Sequence, residues 1–192
     1  AEIVHELQEQ NAGEKELHMP FVDMNAEQLI TYIIIHHHFF VKLSMPLMLN
    51  HLEKVAGKHG NHFPYMQQVL KLFVEINEDM TAHMQKEETV LFPRIKGLEV
   101  LYKSSQVSDI ADAYILAPID VLEAEHDRGG EILYQIRQLT NNYSVPVEAC
   151  TTFKLSLSEL RNFEEDLHKH VHLENNLLFP LAAKMLEELK RL

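Results

Sequence analysis

The stretch His83-Met-Gln-Lys-Glu87-Glu-Thr-Val-Leu-Phe92-Pro93 returns 87 residues later as His170-Val-His-Leu-Glu174-Asn-Asn-Leu-Leu-Phe179-Pro180. Each copy reads His, three residues, Glu, four residues, Phe-Pro. Residues four apart share one face of a helix, so each copy aims an imidazole and a carboxylate the same way. Upstream of each copy, at nearly equal distance, a further His falls on an apolar stripe. His38 precedes His83 by 45 residues and His126 precedes His170 by 44. The chain is thus written as two helical hairpins, each carrying one lone His and one His-x-x-x-Glu pair.

Working outward, four apolar stripes with steps of three and four predict four helices. The first starts at Asn25 as N-cap, runs to about Ala56, and carries Ile34, His38, Val41, Met45, Met48 and Leu52. Pro46 lies inside it, and Gly57 to Gly60 reads as its break. The second starts near Pro64 and carries Val69, Phe73, Ile76, Met80, His83, Glu87 and Val90, with Pro93 and Gly97 expected to end it. After a polar connection, the third begins at Ser108 or Asp109 and carries Ile115, Ile119, Leu122, His126, Gly129, Leu133 and Ile136. The fourth carries Phe153, Leu157, Leu160, Phe163, Leu167, His170, Glu174, Leu177 and Leu181. Helices of about 30 residues joined by short connections imply an all-α fold, an antiparallel up-down four-helix bundle. Residues 25–192 form that bundle, and 1–24 form an extension with a short helix marked by Ile3, Val4 and Leu7.

Composition narrows the function. A net charge of −12 over 192 residues argues against nucleic-acid or anionic-membrane partners, which need a basic patch. No apolar run is long enough to span a bilayer, and residues 1–20 lack the apolar core of a signal peptide. A single Cys rules out an internal disulfide framework and fits a reducing, cytoplasmic setting. A chain that opens on Ala1 rather than Met reads as a piece of a longer protein.

Thirteen His are many, and most have ordinary explanations. His51, His59 and His62 lie in or near a break and should be solvated. His168 and His172 flank His170 by two positions and face away from it. Glu125 and Asp127 should face solvent, with Glu125 able to line an access path. Cys150 fits a small buried residue, and Met45, Met48, Met80 and Met84 fit core filling. Of His36, His37 and His38 only one can point inward, and the stripe allows either His37 or His38.

What remains on the buried faces is four imidazoles and two carboxylates, a set too costly to bury unpartnered. One His on an apolar stripe is ordinarily a hydrogen-bonded core residue. Two matching sets on buried faces are better explained by metal. Two carboxylates that bridge two ions give each ion two oxygens and two nitrogens, leaving positions for a bridging oxo or hydroxo group and a small ligand. Mixed imidazole and carboxylate donors suit iron or manganese better than structural zinc.

The same motifs, with Glu123-Ala-Glu-His126-Asp127, Thr140-Asn-Asn, Pro146-Val-Glu-Ala-Cys150-Thr-Thr and Leu173-Glu-Asn-Asn, resemble the hemerythrin-like domain of the iron–sulfur cluster repair di-iron (RIC) family over roughly residues 25–185. The resemblance implies a hemerythrin-like bundle holding two iron ions through His38, His83, Glu87, His126, His170 and Glu174, with both Glu bridging. In that family the first ligand lies eight residues before a Pro, which selects His38, ahead of Pro46, over His37. The implied function is repair of iron–sulfur clusters damaged by nitric oxide or peroxide, through iron donation or nitric oxide reduction. The implied partners are NO, O2 or peroxide and damaged iron–sulfur client proteins; a homodimer is compatible with the sequence. The family's N-terminal domain with adjacent cysteines has no counterpart here. True hemerythrins, the dioxygen-binding alternative, carry His-x-x-x-His on the third helix; here the residue four past His126 is Gly130, so a coordination position stays open.

Overall fold

A computed structural model of the chain describes residues 21–105 and 110–191. A 3-10 turn, Phe21–Asp23, leads into helix α1, which is built from Ala26–Tyr32, a π-helical segment Ile33–His38, and Phe39–His59. Helix α2 joins Tyr65–Lys86, a π-helical segment Glu87–Leu91, and Phe92–Lys103. Helix α3 is Asp112–Leu139. Helix α4 joins Thr151–Leu173, a π-helical segment Glu174–Leu178, and Phe179–Leu189. No strand occurs among the described residues, and the four helices pack as the antiparallel up-down bundle expected from their stripes.

The start of α1 is set as its sequence predicts. Asn25 accepts from the Gln28 N–H while Gln28 accepts from the Asn25 N–H, a reciprocal capping box. Glu99, from the far end of α2, accepts the next two orphan N–H groups, those of Ala26 and Glu27, at 3.2 and 3.0 Å. The helix runs through Pro46 and on to His59, past the expected stop near Ala56. It ends at Gly60, where an added Cβ would lie 2.3 Å from the Ala56 carbonyl oxygen.

Two expectations need correction. Helix α2 does not end at Pro93 and Gly97 but continues to Lys103. A proline inside a helix clashes with the carbonyl four residues back. In α2 the π turn just before it, in which the Phe92 N–H reaches back to the Glu87 carbonyl, reopens the backbone register at that point. Pro93 then sits in the first turn of a fresh α segment, as does Pro180 after the matching turn closed by Phe179 and Glu174. The same extra residue shifts the buried stripe by one position. Val90 and Leu177, expected inside, are exposed and half-buried, while Leu91 and Leu178 are fully buried.

The N-terminal helix expected at Ile3 to Leu7, and the α3 start expected at Ser108 or Asp109, lie outside the described residues. The described part of α3 begins at Asp112.

The interior consists of two apolar clusters. One runs from Val41 to Leu167 and includes Phe73, Phe153 and Phe163. The other gathers Ile30, Ile33, Phe92, Ile119, Phe179 and Leu186. Between them lies a polar layer of His38, His83, Glu87, His126, His170 and Glu174. Apolar packing above and below buries that layer.

Candidate metal centre

All six polar residues are buried: His38, Glu87, His170 and Glu174 are 0% exposed, His83 is 2% and His126 is 8%. Three of the four helices kink their register at a member of this layer. His38 closes the π segment of α1, and Glu87 and Glu174 open those of α2 and α4. A π turn widens the helix locally and lets one side chain point further inward than regular α geometry allows.

The contacts sort the layer into two groups that share both carboxylates. Glu87 presents Oε2 to His38 Nε2 at 3.3 Å and Oε1 to His83 Nε2 at 3.2 Å. Glu174 presents Oε1 to His170 Nε2 at 3.1 Å and Oε2 to His126 Nε2 at 3.2 Å. One group is His38, Glu87, His170 and Glu174, the other His83, Glu87, His126 and Glu174. Within each group the ligand-type atoms lie within 4.8 Å of one another. His83 Nε2 and His126 Nε2 approach to 3.1 Å.

The His–carboxylate contacts are close but lack hydrogen-bond alignment. Both oxygens of Glu87, both of Glu174, and Nε2 of His38 and His170 are buried without a hydrogen-bond partner among the described residues. Orphaned atoms of this kind, converging on two points, are what a pair of cations would satisfy. The donor set of two nitrogens and two carboxylate oxygens per point fits a transition metal of the iron or manganese kind.

The opposite ring nitrogens are oriented from outside the layer. His38 Nδ1 meets Glu88 at 2.7 Å, and Glu88 is also held by Lys42 at 2.6 Å. His83 Nδ1 meets Glu125 at 3.0 Å, and Glu125 is tied to Lys86. His126 Nδ1 meets the Asn175 side-chain oxygen at 2.9 Å. An acceptor on Nδ1 keeps the proton there and leaves the Nε2 lone pair for a metal. His170 Nδ1 is buried and has no hydrogen-bond partner among the described residues.

Charge balance in the layer shows in its proton affinities. Burial depresses the His170 imidazole, but the charge and contact of Glu174, with the charges of Glu87 and Asp166, outweigh it and raise the group to about 9. His83 is likewise lowered by burial and raised on balance by Glu87, Glu174 and Glu125. Burial pushes Glu174 up, yet His170 and His126 hold its carboxyl well below the usual range. His170 and Glu174 therefore hold a proton between them as an imidazolium–carboxylate pair, and a cation entering the layer displaces it.

The structure brings together all six sequence-derived candidates. His37, the alternative to His38, is buried but turns to Asp166 at 3.0 Å and stacks on His170 from outside the two groups. Glu125, expected at solvent or on an access path, instead buttresses His83. Glu88 and Asn175 stand in the repeated motifs but were given no role in the sequence reading. Each directly follows one of the repeated Glu residues, a position that on its own helix marks it as a surface residue. His51 engages Glu159, and His59 engages Cys150, so neither is simply solvated. A cavity of about 220 Å³ between α3 and α4 is lined by His126, Gly130, Leu133, Leu167, His168 and Val171 and opens onto the layer at His126. A Cβ at Gly130 would meet nothing within 4 Å, so this position leaves room beside the His83–His126 group.

Comparison with known proteins agrees with this geometry. The iron-sulfur cluster repair protein YtfE of Escherichia coli O81 (strain ED1a) is 35% identical over 156 residues, covering 81% of this chain and 65% of that protein. The YtfE proteins of Escherichia coli SMS-3-5 and of Escherichia fergusonii match to the same extent. The chain thus spans about two thirds of the length of these relatives. No described helix is long and apolar enough to cross a membrane. The model of the hemerythrin HHE cation binding domain matches residues 28–182, a span that holds all six residues of the polar layer. With four helices supplying four imidazoles and two shared carboxylates, and that match over most of its length, the chain belongs to the hemerythrin HHE cation-binding domain family.

Proposed function

We propose that the layer holds two iron ions, one in each group, and that the protein restores iron–sulfur clusters damaged by nitrosative or oxidative stress. The observation that carries this reading is the splitting of each carboxylate between two different imidazoles. A carboxylate that serves one ion has no reason to present its second oxygen to a second His of another group. His38 and His170 would hold one ion, His83 and His126 the other, with Glu87 and Glu174 bridging. Two adjacent iron ions so held supply redox-active cations with coordination positions left for a small ligand.

The chain's own residues support that chemistry in three ways. Glu88, Glu125 and Asn175 fix the tautomers of three ligands. The two apolar clusters exclude bulk water from either side of the layer. The cavity at Gly130 gives NO, O2 or peroxide a route to the His83–His126 side. The relatives' name, iron-sulfur cluster repair protein, supports damaged iron–sulfur proteins as clients. Iron donation from the layer and nitric oxide reduction at it are the two routes, and a cytoplasmic setting follows from such clients. The repair unit would be residues 25–192, with 1–24 as an extension.

A second reading, dioxygen or NO binding without repair, is disfavoured by Gly130, which leaves open the position that a fifth imidazole would fill. The test incubates iron-loaded protein with a peroxide-inactivated iron–sulfur enzyme and a thiol reductant. Recovery of client activity with wild-type protein, and none with Glu174→Ala, is expected. A long-lived oxygenated form with no client recovery would favour the binding reading instead.

A further inference from the structure

The outer face of α1 carries Ile35, Phe39, Leu43 and Leu47, exposed by 57%, 60%, 56% and 60%. They stand strictly four residues apart and form one ridge about 18 Å long at 1.5 Å per residue. Together they show water on the order of 400–500 Å² of apolar side chain, the size of patch that on a soluble monomer usually marks an interaction site. We propose that this ridge is the interface of a two-fold homodimer, α1 packing against α1 of a second copy.

Charge selects that occupant. The chain has 29 acidic residues against 17 basic ones, yet α1 has no Asp or Glu between Glu27 and Glu53. Acids that approach α1 from its neighbours are already engaged by it: Glu88 by Lys42, Asp166 by His37 and Glu159 by His51. Elsewhere two copies of so acidic a chain would repel each other; along α1 they would not. A basic partner would find no free carboxylates rimming the ridge. An anionic lipid surface would find only Lys42 on this stretch, and that cation is paired.

Geometry agrees. A ridge of residues spaced by four is inclined about 26° to its helix axis, and two identical ridges interdigitate when the helices cross at about 50°. That packing is self-complementary, as a two-fold interface requires. The ridge provides roughly half of the ~800 Å² per partner of a standard interface. The polar residues beside it, Thr31, His36 and Asn50, are exposed and can supply the rim. The contact would lie one residue from His38, yet it uses only side chains that face away from the metal layer.

Sedimentation velocity on the whole chain, from low to high micromolar concentration, tests this. The expected result is a species of about twice the 22.3 kDa chain mass that dissociates on dilution. Leu43→Glu and Leu47→Glu, both on an exposed face and so without cost to the fold, should each weaken the dimer at least tenfold. Val147→Glu, at a residue fully exposed in the α3–α4 connection, should leave it unchanged. A wild-type protein that stays monomeric throughout would overturn the proposal, as would a dimer indifferent to both ridge substitutions. Monomers that float with phosphatidylglycerol vesicles would overturn it in favour of a lipid surface.

Discussion

The α1–α2 and α3–α4 hairpins contribute the same ligands in the same order, yet they support them differently. Both imidazoles of the first hairpin rest on carboxylates, His38 on Glu88 and His83 on Glu125, and each carboxylate is held by a lysine. In the second hairpin His126 rests on the neutral amide of Asn175, and His170 Nδ1 has no acceptor among the described residues. A carboxylate on Nδ1 raises the donor strength of Nε2 more than an amide does. Because each group takes one imidazole from each hairpin, every cation position would have one strongly and one weakly supported nitrogen ligand. The internal repeat therefore covers the ligands and the π turn and Phe-Pro pair behind each Glu, and the surrounding shell differs between the halves.

The largest effect is expected from the residues that the two halves share. Glu87→Ala or Glu174→Ala should reduce bound iron from about two per chain to nearly none, because each carboxylate serves both groups. His38→Ala and His126→Ala should leave some metal, and His37→Ala should leave the full amount; elemental analysis of purified protein reads all five. An intermediate effect is expected from the shell. Glu88→Gln and Glu125→Gln should each lower metal affinity roughly 10- to 100-fold in chelator competition, and Asn175→Ala by less. Equal losses from all three would erase the distinction between the hairpins.

The smallest effect concerns the unsupported ligand. In the metal-free protein His170 is held at about 9, above its ordinary 6.5. A histidine raised on folding stabilises the fold fully below about pH 6.5 and loses that contribution as pH rises through about 9. The melting temperature of the metal-free protein should therefore fall by some degrees across that window. The iron-loaded protein, with the imidazole neutral throughout, should not show that decline. Calorimetry at several pH values compares the two forms.

Much of this was legible in the sequence. The bundle and the six candidate ligands follow from apolar period and from a repeat in which polar residues fall on buried stripes. His38 could not be separated from His37 by periodicity, because the π segment Ile33–His38 buries both. Periodicity of 3.6 has no place for the extra residue of a π turn, which is why Val90 and Leu177 were expected inside and Leu91 and Leu178 were not. For the same reason Pro93 read as a stop, although the altered register ahead of it accommodates the ring. Glu88, Glu125 and Asn175 were hidden because their spacing on their own helices marks them as surface residues. Only the approach of a second helix shows that they face an imidazole.

The central claim is that Glu87 and Glu174 are shared between two adjacent iron ions. Mössbauer spectroscopy of iron-57-loaded protein, with iron content measured on the same sample, tests it most directly. The account predicts about two irons per chain in a single magnetically coupled pair, with the coupling lost in Glu87→Ala and Glu174→Ala. One iron per chain, or two that behave as isolated ions in the wild-type protein, would contradict it.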